Sequence, residues 1–197
     1  MSSTPSVAEK LCLTCGLCCN GVIFADVRLQ RGDVAAKLRA LGLRLSGASA
    51  RPTAQASCEK LQRPFLQKKF NQPCAAFDGC RCRIYEDRPK YCRAFDCALL
   101  QSVNRGDAKP SDALNLIEKA RRRADKVRQI LRKIGDKDEH VALSVRFRQT
   151  SRRLQQGKVD QATSHLFSQL TLAVQDLSFL LSESFYPGAA VDRVEAP

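Results

Sequence analysis

The spacing of apolar residues in the second half of the chain predicts two long amphipathic helices. Pro110 is a favourable residue for the start of the first helix, and Gly135 ends it. The apolar positions of this helix are spaced by alternating steps of four and three residues. Those positions are Ala113, Ile117, Ala120, Ala124, Val127, Leu131 and Ile134. The second helix is predicted over residues 159–184 and stops before the Tyr-Pro-Gly sequence at 186–188. Its stripe comprises Phe167, Leu170, Val174, Leu177 and Leu181, widened by Leu166, Ala173 and Leu180.

The segment between these helices carries two conflicting signals. Val141, Leu143, Val145 and Phe147 alternate with polar residues, which is typical of a strand. The flanking elements are helical, however, and the surrounding sequence offers no partner strand. We therefore predict a helix here as well.

The first half of the chain has a less regular pattern. Residues 20–31 favour a short strand or an extended arm, and residues 33–42 favour a short helix with Asp33 as its N-cap. Residues 46–57 are rich in Ser, Ala, Gly and Pro and predict a loop, and the tail from 188 onwards is predicted to be disordered.

The cysteines divide the chain into two parts. All ten lie between Cys12 and Cys97, and the hundred residues that follow contain none. The predicted fold is mainly α, with a loop-rich cysteine metal-binding domain over residues 8–100. This lobe packs with a C-terminal helical hairpin or three-helix bundle over residues 110–185.

The expected compartment is the cytoplasm, because the N-terminus lacks a secretory signal and no segment has the composition of a membrane span. Thiols are kept reduced there. Ten cysteines therefore favour metal ligation or redox chemistry over a disulfide framework.

The cysteine spacing suggests more than one metal site. Cys12, Cys15 and Cys18 repeat the two-residue separation that wraps a cation, and Cys19 adds a sulfur that serves either a second site or the packing. The later group comprises Cys74, Cys80, Cys82, Cys92 and Cys97. On one continuous helix, with Pro89 in its first turn and Asp87 as a candidate cap, the last two would lie about 140° apart. They would face one ion only if the helix bends; otherwise they belong to different sites. One compatible arrangement is a pair of four-sulfur sites drawing on both groups, with the pairing left open.

The sequences "CLTCGLCC", "PCAAF", "CRIYEDRPKYC" and "CRAFDC" resemble the bacterial cysteine-cluster family often called YkgJ-like, which carries the CxxCxxCC motif. The resemblance covers residues 12–97. It implies zinc or iron chelation, and an iron–sulfur oxidoreductase role has also been suggested for the family. The implied metal ligands are Cys12, Cys15, Cys18, Cys19, Cys74, Cys82, Cys92 and Cys97, accompanied by Tyr85, Arg88, Pro89 and Arg93. Cys58 and Cys80 lie outside the family pattern.

Zinc and iron both suit such ligands. Four thiolates form a closed structural zinc site that contributes folding energy directly, and this is the interpretation we favour. An iron–sulfur cluster also takes four cysteines, but residues 12–19 do not match the ferredoxin spacing.

The net charge of +13 raises the question of an anionic partner. The basic segment 119–133 is a candidate surface for nucleic acid or an acidic protein, although a solvated outer face of an amphipathic helix is the commoner explanation of such a run. The chain has no tryptophan, and no aromatic residue interrupts this basic run, which argues against base stacking. No catalytic constellation, phosphate loop or dinucleotide fingerprint is present, so we predict no catalytic residue.

Overall fold

The computed structural model describes residues 7–47, 68–79, 81–157 and 159–186. Within these ranges the protein is mainly α, as predicted. The helices are α1 Val7–Cys15, α2 Ala35–Ala40, α3 Lys90–Ala94, α4 Ala98–Arg105, α5 Pro110–Lys133, α6 Leu143–Gln156 and α7 Gln161–Ser184. The strands are β1 Asp26–Arg28, β2 Leu45–Ser46 and β3 Lys69–Asn71. Cys58, Cys80, most of the predicted loop 46–57 and the predicted tail lie outside the described residues.

The two long helices form where the apolar stripes predict them. α5 begins at Pro110, and α7 begins after Asp160, whose carboxylate accepts the N–H of Thr163 at 2.6 Å. Six of the seven stripe positions of α5 are buried, and only Ile134 is half-buried. The two helices pack against each other along these stripes.

The ambiguous segment is helical, as predicted. Its buried residues Leu143, Arg146 and Thr150 recur at steps of three and four, and Phe147 stacks on Phe167 of α7 with ring centroids 6.4 Å apart. The preference for helix over strand is therefore confirmed. None of the helices in the described ranges combines the length and apolar character needed to cross a bilayer.

The first of two hydrophobic cores joins the cysteine-bearing segments to the long helices. α1 and α4 both pack on α5. The inner faces of α5 and α7 are buried together with Leu11 and Leu17 from the first cysteine segment and with Leu99 and Leu100 of α4. Residues near both ends of the cysteine series thus share one core with the helical region.

A small antiparallel sheet, absent from the sequence prediction apart from its first strand, organises a second core. Its strand order is β1, β3, β2, with Val27 opposite Phe70. Strands of two or three residues are too short for alternation to stand out in a sequence. The buried residues of this core are Val27, Leu29, Leu38, Leu43, Phe70, Ala76 and Ile84.

The predicted helix caps in this region are wrong. Val34, not Asp33, precedes α2, and Asp33 instead accepts backbone N–H groups from Gln30 at 2.7 Å and Lys90 at 2.9 Å. Asp87 does not cap α3, because its carboxylate pairs with Lys37 across 2.6 Å. Asp33 and Asp87 thus connect the region of α2 to the region of α3. These two regions are far apart in the sequence, so local patterns could not predict the contacts between them.

Candidate metal centre

The eight cysteines implied by the family resemblance lie together around one cavity. Its volume is about 130 Å³, several times that of one water molecule, and all eight line it. Cys12 and Cys15 are on α1, Cys18 and Cys19 are in the turn after it, and Cys74 and Cys82 follow β3. Cys92 is in α3, whereas Cys97 is the N-cap of α4. The helix that would carry both is interrupted after Ala94, so they need not face one ion.

One group of four thiols lies beside the first core: Cys12, Cys15, Cys18 and Cys97. Cys15 and Cys97 pack directly against that core. Burial raises the pKa of Cys15 to about 12, and the neighbouring Cys97 and Cys12 raise it too. Burial also raises the pKa of Cys18, which lies near the other three members and Cys19.

The other four thiols form a second group beside the sheet: Cys19, Cys74, Cys82 and Cys92. The last three pack against the second core. Burial is the main cause that raises the pKa of Cys19 to about 12, and these same three thiols raise it further. The pKa of Cys92 is raised to about 12 by burial first and then by Cys74 and Cys82. The packing separates Cys15 and Cys97 from Cys74, Cys82 and Cys92. Cys18 and Cys19 lie outside these two sets. The pKa of Cys19 is influenced by thiols of both sets, and that of Cys18 by Cys15, Cys97 and Cys19 itself.

The two groups meet at one peptide bond. Cys18 belongs to the first and Cys19 to the second, so consecutive residues supply a sulfur to each. The N–H of Cys74 donates to the carbonyl of Cys19 at 2.8 Å, which fixes the second segment against the first. An isolated bridge between Phe77 and Cys82 closes the turn between Cys74 and Cys82.

Backbone amides point at three of the sulfurs. The N–H of Leu17 donates to Cys15, those of Ala76 and Phe77 donate to Cys74, and those of Leu99 and Leu100 donate to Cys97. In each case the donors lie two or three residues after the cysteine. Such bonds lower the thiol pKa against the effect of burial and stabilise negative charge on sulfur.

Guanidinium groups accompany both groups of thiols. Arg121 lowers the pKa of Cys15 in the first group, and in the second Arg83 and Arg88 lower those of Cys74 and Cys92. These arginines are held through backbone carbonyls beside the site. Arg121 donates to Thr14 at 2.8 Å, Arg83 to Ala75 at 2.6 Å and Arg88 to Tyr85 at 2.8 Å.

The chemistry of the donor set fits a thiophilic metal. None of the eight described cysteines is in a disulfide, and each group offers four sulfurs, the number that tetrahedral zinc or an iron–sulfur cluster takes. In the described ranges no group of three or more His, Cys, Asp or Glu side chains is arranged to hold an ion as it stands. Closing around a metal would require the sulfurs to move from these positions.

Two residues near the thiols were not predicted from the sequence. Gln72 is buried and lines the same cavity, and Arg121 approaches Cys15 from α5. A lone glutamine two residues before a cysteine carries no signal. Arg121 lies within the basic segment 119–133, where its sequence context predicted only a charged face.

Comparison with known families extends the resemblance. The model of the CxxCxxCC family, described as "Putative zinc- or iron-chelating domain", matches residues 11–120. The match continues beyond Cys97 through α4 and into α5, further along the chain than the motifs at residues 12–97. No curated protein and no solved structure matches the chain. Because residues 11–120 make up more than half of its length, the chain belongs to the CxxCxxCC family of zinc- or iron-chelating domains.

Proposed function

We propose that the protein binds two metal ions, one in each group of four cysteines. The observation that carries this proposal is that all eight thiols line one cavity, where Cys15 and Cys97 pack against one core and Cys74, Cys82 and Cys92 pack against the other. Cys12, Cys15, Cys18 and Cys97 would hold one ion. Cys19, Cys74, Cys82 and Cys92 would hold the other.

Zinc is the metal we favour. Four thiolates without an open coordination position make a closed zinc site, whose role is structural. Two such sites would each carry a charge of about −2, and the three arginines beside the sulfurs would offset much of it. Iron, as single ions or as iron–sulfur clusters with an electron-transfer role, is the alternative because it takes the same ligands.

The proposed role of the metals is to hold the cysteine-bearing region, residues 8–100, in one conformation against the helical region, residues 110–185. Among the described residues, the second core has seven buried apolar residues and very short strands. Metal binding free energy would then supply what this small core lacks. Ligands that are not joined in disulfides are consistent with a reducing compartment, and we propose the cytoplasm.

The basic segment 119–133 gives weaker support for a nucleic-acid or acidic-protein partner. Arg121 donates to the backbone carbonyl of Thr14 in α1, and Arg128 donates to that of Asn20 in the turn after α1. Arg123 pairs with Asp176 of α7 at 2.9 Å. These three arginines have partners within the chain and contribute to the fold. Their interactions with the chain weaken the case that they bind an external anionic partner.

Elemental analysis and an absorption spectrum of tag-free protein purified without oxygen test the proposal. We expect about two zinc ions per chain and no visible absorption. Iron with an equal amount of sulfide and a coloured spectrum would establish the iron–sulfur alternative. Protein that takes up neither metal, even when refolded with an excess of each, would refute the proposal.

Cysteine variants test the division of the ligands. Cys15→Ser and Cys92→Ser should each lose about one zinc ion, and the double variant should lose both. Cys58→Ser is the matched control, because Cys58 lies outside the implied ligand set, and it should keep both ions. Loss of both ions from either single ligand variant would contradict two separable sites.

A further inference from the structure

Gln72 is a buried polar side chain whose oxygen lacks a hydrogen bond. The residue follows β3 and is 2% exposed, and its backbone N–H donates to the carbonyl of Ala25 at 3.0 Å. The backbone is thus satisfied. The side-chain Oε1 is fully buried and has no hydrogen-bond partner within the described residues.

Burying an amide oxygen without a hydrogen-bond partner lowers the stability of the fold, so the amide is expected to have a function. A buried acceptor without a partner typically destabilises a fold by about 1–3 kcal/mol. A methionine or leucine would fill similar space without that cost. The side chain lines the cavity that all eight cysteines line, so sulfur atoms are the polar groups it can meet there in greatest number.

The position of Gln72 indicates which sulfurs it serves. It precedes Cys74 by two residues, and Cys74 is bonded through its backbone to Cys19. Both belong to the second group. On its N-terminal side, Gln72 is fixed by the last residue of β3, Asn71, which pairs with Asp26 of β1. The glutamine is therefore held at the edge of the sheet next to this group.

We propose that the side-chain amide of Gln72 donates a hydrogen bond to a thiolate of the second group when that group holds its metal. This inference rests on the proposed function. An amide presents N–H on one side and oxygen on the other, and a half-turn of its terminal bond exchanges them. Gln72 is a positioning residue: N–H bonds to a ligand sulfur orient it and strengthen metal binding.

The substitution Gln72→Met tests this role with two measurements that should move independently. Urea unfolding in the presence of a chelator reports the metal-free fold, and we expect an unchanged or higher midpoint because an unpaired polar group is removed. Competition with a chromophoric chelator reports zinc affinity. We expect one of the two zinc ions to bind about tenfold to a hundredfold more weakly, the usual effect of losing an outer-shell partner.

Several outcomes would overturn the inference. Zinc affinity equal to that of the wild type would do so, as would weakening confined to the ion that Cys15→Ser removes. A fall in zinc affinity fully explained by a lower urea midpoint would reduce Gln72 to a packing residue. If the wild type binds no metal, the proposed function itself fails, which the elemental analysis establishes separately.

A measurement on the wild type avoids any folding defect of the variant. The protein is loaded with an NMR-active cadmium isotope, and the side-chain amide protons of Gln72 are examined for coupling to the metal through the hydrogen bond. Coupling to one cadmium resonance is expected. Cadmium bound at both groups without such coupling, and with rapid solvent exchange of these protons, would contradict the inference.

Discussion

Gly16 lies against the ring of Phe77, and any side chain at position 16 would force that ring to shift. A Cβ placed on Gly16 would lie 2.6 Å from Cζ of Phe77. Gly16 follows Cys15 at φ +65°, and Phe77 lies between Cys74 and Cys82. The contact therefore joins the two segments that supply thiols to the cavity.

Replacing Gly16 by alanine should loosen this junction. Gly16→Ala meets both a left-handed backbone conformation and the ring of Phe77, so we expect a loss of at least about 2 kcal/mol in the free energy of unfolding. Zinc should also be released faster to a chelator. Gly42→Ala is the matched control, since φ is +92° there but nothing lies within 4 Å of the added Cβ. It should cost only about 1 kcal/mol and leave zinc release unchanged; equal effects of both would show that the Phe77 contact is unimportant.

Arg121 should strengthen metal binding at the first group through its charge. Arg121→Gln removes a guanidinium that lies near Cys15, and we expect about tenfold weaker binding of one zinc ion, measured by chelator competition. Because Arg121 is exposed, the difference should shrink as salt is raised. Arg122→Gln is the control on the same helix, where Arg122 pairs only with Glu118 among the described side chains. An identical loss in both variants would attribute the effect to the general charge of α5.

Removal of metal should affect the two cores differently. The first core contains the inner faces of α5 and α7 and extends over many apolar contacts, whereas the second has seven buried residues. Chelation should leave most of the far-UV helical signal intact and abolish hydrogen-exchange protection at Val27 and Phe70 of the sheet. The protection of Ala124 and Leu177 serves as the internal control. If all four amides lost protection together, the helical region would depend on the metal as well.

The sequence predicts the parts of this fold that repeat a pattern. The stripes of α5 and α7 extend over six turns each, so their period is unambiguous, and α6 follows from its helical neighbours. The sheet and the aspartate contacts depend on residues far apart in the chain. Asp33 meets Lys90 across 57 positions, and no local rule contains that information.

The candidate site was predicted as a set of residues but not as an arrangement. The family motif supplied the eight cysteines, and the adjacency of Cys18 and Cys19 was compatible either with two sites or with one ligand and one structural thiol. The proposed division between two sites rests on the core that Cys15 and Cys97 face and the core that Cys74, Cys82 and Cys92 face, and this is decided by packing. Gln72 lies outside every motif because its importance comes from burial alone.

A buried ion pair fixes α6 against the end of α5, and its loss should be costly. Nε of Arg146 donates to Oδ1 of Asp136 at 3.1 Å, Nη2 lies 3.0 Å from the same oxygen, and Thr150 donates to Oδ2 at 3.3 Å. Asp136→Asn would leave Arg146, only 2% exposed, as an unpaired charge, so we expect a loss of about 3–5 kcal/mol in urea unfolding. Glu118→Gln breaks an exposed pair instead and should cost less than about 1 kcal/mol. Replacing both partners, Asp136→Leu with Arg146→Met, should recover most of the stability, because the desolvation penalty then disappears. A double variant as unstable as Asp136→Asn would mean that the pair contributes hydrogen bonds the apolar side chains cannot replace.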